Sequence, residues 1–236
     1  MARIVKQEEH AARRKQILDV AQRLVMETKG YEGMSIQDVL DELRISKGAF
    51  YHYFDSKGAL LEALIERMVE EAEPLLAEIV QDARLPALEK LQRFFDRAAR
   101  WKTPRKSYLL ALLRIWYTDE NAIVRDKLRT SAPQRFSRLL TQVICQGIRE
   151  GTLSTAYPDQ AGAVVLSLVQ ELGDNFARML LDMPPESADQ AQLAGTVAAC
   201  TDAIEHVLGA PAGSLTVVHR ETINEWFEPS PSPVAV

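Results

Sequence analysis

Residues 46–59 read SKGAFYHYFDSKGA, and within them Phe50, Tyr51, His52, Tyr53 and Phe54 set five rings side by side in a chain that is only 7% aromatic. Ser46 suits a helix N-cap, so the run reads as a helix beginning there. Counting about 100° per residue from Ser46, Phe50, Phe54 and Tyr53 fall at about 40°, 80° and 340°; Lys47, Tyr51, Gly48 and His52 fall at about 100°, 140°, 200° and 240°. The cluster therefore divides. Phe50 and Phe54 anchor one side of a short helix, and Lys47, Gly48, Tyr51 and His52 project from the other.

The flanking residues give this helix a setting. Ser35-Ile36-Gln37-Asp38 has the pattern of a capping box and opens a helix through Leu43, with Ile36, Val39, Leu40 and Leu43 inward. Arg44-Ile45 is the break before Ser46, and Asp55-Ser56 precedes a long helix to about Val80. Upstream, Ile17, Val20, Ala21, Leu24 and Val25 share one face of a first helix ending near Lys29-Gly30, where glycine suits a C-terminal cap. A short helix, a tight break and a second short helix fit a helix-turn-helix, whose second helix can enter a major groove about 12 Å wide. Glycine would let the backbone approach the duplex, and tyrosine, histidine and lysine reach phosphate oxygens. An aromatic-rich helix packed on both sides within a bundle fits the same ring pattern, so geometry alone leaves both readings open.

Composition sets the class. A chain of 236 residues, 47% hydrophobic and 26% charged, suits one large or two smaller globular domains. The longest uncharged apolar run, AGAVVLSLV at 161–169, is too short to span a bilayer, so no membrane partner is expected. The charged start MARIVKQEEHAARRK lacks the apolar stretch of a secretory signal, which points to the cytoplasm. Cys145 and Cys200 have no CxxC spacing and read as reduced core thiols. The net charge of −5 is unevenly spread: residues 1–58 carry ten Lys/Arg against nine Asp/Glu, the remainder eighteen against twenty-four. That asymmetry falls short of a strongly basic nucleic-acid-binding signature.

The rest of the chain reads as helical throughout. Helices are expected near 86–101, 104–117, 121–150, 159–182 and 187–208, broken at Pro86, Thr103-Pro104, Gly151, Pro158 and Pro184-Pro185, while 214–227 fits a strand or a short helix, the helix preferred. The Pro/Ser-rich tail at 228–236 reads as disordered. The fold class is thus all-α, with about nine helices or more. Enzyme chemistry finds little footing: there is no Glu-x-x-His pair, Gly-rich phosphate loop or serine elbow, and His10, His52, His206 and His219 are scattered. No catalytic residue, metal or cofactor is expected.

The stretch SIQDVLDELRISKGAFYHYFDSKGALLEAL, preceded by ILDVAQRLV, resembles the TetR family of bacterial transcriptional regulators over about residues 11–65. The order of small, apolar, aromatic and basic positions carries the resemblance. Gly58 departs from it, since an acidic residue is common there, and a glycine in the first turn of a helix costs up to about 1 kcal/mol. The resemblance implies a three-helix DNA-binding domain at 1–56 with its helix-turn-helix at about 35–54, joined by a long helix to a C-terminal bundle, so that 57–227 form an effector-binding and dimerisation domain. It implies that Ser35 and Lys57 bind phosphates, the latter with helix N-terminal amides. Lys47, Gly48 and Ala49 would lie where the family reads bases, Tyr51, His52 and Tyr53 where it grips the backbone, and Ser46 is a further DNA-binding position. Arg13, Arg14 and Lys15 could reach adjacent backbone.

Residues 94–117 hold six of the sixteen aromatics, and SYLLALLRIWY is apolar almost all round apart from Arg114, as a covered central helix would be. By the resemblance this zone lines an effector cavity, with Phe94, Trp101, Tyr108, Leu112, Arg114 and Trp116 as candidates for an apolar or weakly anionic small molecule. By the same resemblance the last two long helices pair across a two-fold axis, through Val165, Leu168, Leu172, Phe176, Val197, Ile204 and Leu208, while Gly195, Ala198 and Ala199 allow close approach. Packing within one monomer fits that pattern too. The implied function is a DNA-binding regulator, a homodimer on a roughly palindromic duplex, acting as a repressor released by its effector. The alternative is a constitutive or architectural DNA binder without effector.

Overall fold

The computed structural model describes residues 2–27, 34–117, 122–182 and 190–227. Among them the only regular elements are helices: α1 (Ala2–Glu27), α2 (Ile36–Leu43), α3 (Lys47–Tyr51), α4 (Lys57–Gln81), α5 (Ala87–Lys102), α6 (Lys106–Trp116), α7 (Ala122–Glu150), α8 (Pro158–Asp182), α9 (Gln190–Leu208) and α10 (Arg220–Phe227), with a 3₁₀ turn at Thr103–Arg105 between α5 and α6. No helix among the described residues is long and apolar enough to cross a membrane. The expected breaks at Pro86, Pro104, Gly151 and Pro158 fall at helix ends. Gly30, Pro184, Pro185 and the 228–236 tail lie outside the described residues.

One expectation is corrected. Only Arg220–Phe227 of the 214–227 segment is helical. Residues 214–219 bond elsewhere: Thr216 N donates to Gln92 Oε1 (2.8 Å), Gln92 Nε2 donates to the Thr216 carbonyl (3.0 Å), and Leu215 N donates to Glu205 Oε1 (2.8 Å). Side chains of α5 and α9 thus satisfy the amides that a helix would have satisfied internally.

The chain forms two compact units. The first takes Met1–Glu70 and Ser107–Thr130, and the second Glu71–Lys106 and Ser131–Val236. Compactness thus divides α4 near Glu70 rather than separating residues 1–56 from the rest, and it brings α6 into the first unit. The core of that unit joins Ile17, Ala21 and Val25 of α1, Val39 and Leu40 of α2, Phe50 of α3, Leu60, Leu61 and Leu64 of α4, and Tyr108 and Leu112 of α6. Arg67 of α4 is tied to α1 by donating to Asp19 Oδ1 (2.6 Å), to the Leu18 carbonyl (3.3 Å) and to the Gln22 amide oxygen.

In the second unit Leu91, Phe94, Leu140, Ile144, Val165, Leu193 and Ile204 share one core. Helix α8 packs on α9. The close helix approach occurs at Gly162 rather than Gly195: a Cβ on Gly162 would lie 2.5 Å from the Ser137 carbonyl of α7, whereas Gly195 faces open space. Lys90 is buried and donates to the Val80 carbonyl (2.6 Å) and Gln146 Oε1 (2.8 Å), which meets the rule that an interior charge must be hydrogen-bonded. Cys145 and Cys200 are free thiols, both half-buried.

Candidate nucleic-acid interface

The interface is built on three serine caps. Ser35 has extended backbone (φ −95°, ψ 161°); its Oγ accepts from Asp38 N (3.1 Å) and its own N–H donates to Asp38 Oδ2 (2.6 Å), the reciprocal pair of a capping box. Ser46 caps α3 by accepting from Ala49 N (3.2 Å), and Ser56 caps α4 by accepting from Ala59 N (3.0 Å). Between α2 and α3 the chain turns at Arg44, which lies in the left-handed region (φ 51°, ψ 46°) while Ile45 N donates back to the Leu40 carbonyl (3.0 Å). An exposed arginine in place of glycine there carries local strain.

These caps orient α3 as the angular count anticipated. Phe50 is 0% exposed and Phe54 3%, their rings 5.8 Å apart, whereas Tyr51 is 40% exposed and Lys47, Gly48 and His52 are exposed. Ala49 and Tyr53 are half-buried. The Lys47 ammonium lies 6.0 Å from the Tyr51 ring centre, and a Cβ on Gly48 would meet only Ser46 Oγ, at 4.0 Å. Lys57 begins α4 half-buried, and its charge helps to hold the Asp38 carboxyl below the usual carboxylate range; the larger causes are the Ser35 amide and hydroxyl. Helix α3 thus has an aromatic underside fixed in the core and an outer side of hydroxyl, ammonium and imidazole groups beside an uncovered backbone. Such a surface offers donors from which phosphate oxygens can accept, and its bare backbone leaves room for a base edge. Among the described residues no cluster of His, Cys, Asp or Glu could hold a metal ion.

The basic trio on α1 is less available than its charge suggests. Arg13 donates to Gln16 (2.8 Å), Lys15 pairs with Asp19 (2.9 Å), and the Arg14 guanidinium lies 5.1 Å from the Phe54 ring centre. Sequence reasoning missed His10. Its ring lies 4.6 Å from that of Tyr53 and 5.5 Å from that of His52, a contact across about forty residues that no local pattern signals.

The other candidate residues separate. Phe94 is buried in the second unit's core, and Trp101 of that unit is half-buried with the Arg105 guanidinium 4.5 Å from its ring centre. Tyr108 and Leu112 belong to the first unit's core, where Arg114 is exposed and Trp116 half-buried. A cavity of about 580 Å³ in the second unit lies between α9, residues 213–218 and α10, and none of these six residues lines it. Of the residues assigned to a subunit interface, Val165, Leu172, Val197, Ile204 and Leu208 are buried in the chain's own core, and Leu168 and Phe176 pack against that core half-buried. Their periodicity records burial within the monomer. The outward strip is Ala163, Val164 and Ser167 on α8 with Ala194, Gly195, Ala198 and Ala199 on α9.

The fold and the exposed face of α3 define an all-helical helix-turn-helix protein. Residues 17–64, which hold the helix-turn-helix, match the model of bacterial regulatory proteins of the tetR family. It is 28% identical over 67 residues to the HTH-type transcriptional repressor DhaR of Mycobacterium sp. (strain GP1), a match covering 28% of this chain and 34% of that protein. The chain thus spans about a third of the length of that relative. Over a longer reach it is 26% identical across 192 residues to the HTH-type transcriptional regulator YfiR of Bacillus subtilis (strain 168), 79% of this chain and 89% of that protein. A crystal structure of a TetR-family transcriptional regulator from Pectobacterium atrosepticum superposes with a TM-score of 0.64 at 22% identity, covering 86% of this chain and 98% of that one. At that identity the likeness concerns the fold.

Proposed function

We propose that this protein is a transcriptional regulator that lays α3 in the major groove of a roughly palindromic duplex as a homodimer. The two-sidedness of α3 carries this reading: a helix fixed from below by Phe50 and Phe54 leaves Lys47, Gly48, Tyr51 and His52 outward, and an outward tyrosine beside a lysine and a bare backbone fits a phosphate-lined groove. Lys47, Gly48 and Ala49 read base edges from the N-terminal turn. Ser35, Tyr51, His52, Tyr53 and Lys57 grip phosphates. The second copy docks through the outward small-residue strip of α8 and α9, so operator symmetry mirrors the protein two-fold.

Repression is the mode we assign, with release by an apolar or weakly anionic small molecule; the names of DhaR and of the NemR repressor of Escherichia coli support the first part. Selection of bound duplexes from a random pool tests the reading. Recovery of a two-fold symmetric site is the expected result, and recovery of no enriched sequence would overturn it.

A further inference from the structure

We infer that His10 of α1 joins His52 and Tyr53 in a single DNA-phosphate site whose two imidazoles take up a proton when the duplex binds, so that affinity rises as pH falls. The inference rests on the DNA-binding reading above. Three rings from two elements converge here: His10 and Tyr53 lie tilted by 38° at 4.6 Å, and His52 stands edge-on to His10 at 5.5 Å and to Tyr53 at 5.2 Å, both at 79°. Both imidazoles are exposed, on an outer surface that also carries Tyr51.

The chain's other two histidines behave differently. His206 lies 3.4 Å from Asp202 and His219 lies 3.0 Å from Asp96, so each has a carboxylate ready to balance its cationic form. Among the described residues, neither His10 nor His52 has a carboxylate at ion-pair distance; their neighbours are rings. The charged groups nearest along the chain are Lys6, Glu8, Glu9, Arg13 and Arg14 on α1 and Lys47, Asp55 and Lys57 on the helix-turn-helix side. Of these, Arg13 is engaged by Gln16 and Arg14 rests on Phe54. Two imidazolium rings in edge contact repel each other, and an anion that both can reach removes that penalty. The phosphate of a duplex backbone is such an anion, and histidine is the side chain whose charge changes between pH 5 and 8. Bound DNA therefore favours the protonated pair, and by linkage protons favour bound DNA.

The test compares wild type, His10→Phe and His10→Lys by fluorescence anisotropy on a mixed-sequence duplex, at about pH 6 and about pH 8, across a salt series. Wild type should bind roughly tenfold tighter at the lower pH, with a salt slope steeper by about one. His10→Phe keeps a ring against Tyr53 but cannot be charged, and should lose most of that gain. His10→Lys keeps a charge at both pH values and should retain only the share of the pH dependence that His52 contributes. A wild-type pH profile in His10→Phe, or equal weakening at both pH values, would overturn the proposal, the latter leaving His10 only a packing role. Wild type that binds no duplex at either pH would instead overturn the DNA-binding reading itself. Histidines elsewhere contribute alike to all three proteins and cancel in the comparison.

Discussion

Arg67 reaches from α4 to α1 and donates to Asp19 Oδ1 at 2.6 Å, a pair in which the guanidinium is 16% exposed and the carboxylate 48%. The same guanidinium donates to the Leu18 carbonyl and to Gln22, so one side chain closes three bonds between the helix that carries the motif onward and the helix that shelters it. Lys15 first holds the Asp19 carboxyl below the usual carboxylate range, burial opposes it next, and Arg67 adds to the lowering. Replacing Arg67 with Met keeps the stem and removes the bonds. We expect a loss of roughly 1–2 kcal/mol, discounted for the exposure of Asp19. Urea unfolding of the variant checks it, and an unchanged midpoint would show the brace to be idle.

The capping box at Ser35 gives a pH prediction. The folded Asp38 carboxyl lies below its ordinary range, first because the Ser35 amide donates to it and then because the Ser35 hydroxyl does. A depressed carboxyl contributes stability that is present above the unfolded value and lost as pH falls through the folded one. Ser35→Ala should cost about 0.5–2 kcal/mol at neutral pH. It should also flatten the acid limb of thermal stability, because the groups that depress Asp38 are reduced to the amide of residue 35 and the Lys57 charge. Melting curves from neutral to acid pH for both proteins decide this, and parallel acid limbs would refute it.

On DNA, the proposed phosphate contacts and base contacts have different signatures. Lys57→Ala should weaken binding alike on all sequences and flatten the salt dependence by about one unit of slope. Tyr51→Phe should weaken binding alike on all sequences. Lys47→Ala should instead change which sequences are preferred. If Phe50→Ala unfolds the first unit and none of these three variants alters affinity, α3 is core and nothing more.

Much of the motif was legible because its signals are local. Serine caps at 35, 46 and 56 and a break at Arg44-Ile45 need only a few neighbouring residues, and each stands where the spacing puts it. The inward and outward sides of α3 followed from the helical period alone. What escaped depends on distant partners. Residues 214–219 leave the helix because Gln92 and Glu205, 124 and 10 residues away along the chain, offer better partners to their amides. Val165 and Ile204 show the same apolar period whether they meet a second copy or their own chain, and only packing distinguishes the two. His10 lies next to the motif only once α1 and α3 are assembled.

That ambiguity makes a sharp contrast. Leu172 is 4% exposed within the second unit, so Leu172→Ala should cost about 2–5 kcal/mol through loss of burial and a residual cavity. It should leave the dimer intact where the protein stays folded. Ala199 faces outward on α9. Ala199→Arg should leave the monomer's stability nearly unchanged and split the dimer, as sedimentation at micromolar concentration would reveal. Wild type that sediments as a monomer would remove α8 and α9 as the interface.

Effector response can be assigned to one unit or the other, because Trp101 belongs to the second and Trp116 to the first. A ligand relieves DNA binding only to the extent that it favours a conformation in which the paired α3 helices are wrongly spaced, and such coupling is typically about 1–3 kcal/mol. Coupling is reciprocal, so operator DNA must weaken the ligand by the same factor. We expect a screen of apolar and weakly anionic small molecules to yield one that quenches tryptophan emission and weakens operator binding by roughly fivefold or more. Trp116→Phe should lose the quench if the ligand touches α6, whereas Trp101→Phe should lose it if the ligand touches the end of α5 beneath Arg105; either variant should keep its ligand-free affinity for DNA. A broad screen in which none of the three tryptophans, Trp226 included, responds and operator affinity never changes would leave a constitutive DNA binder as the surviving reading.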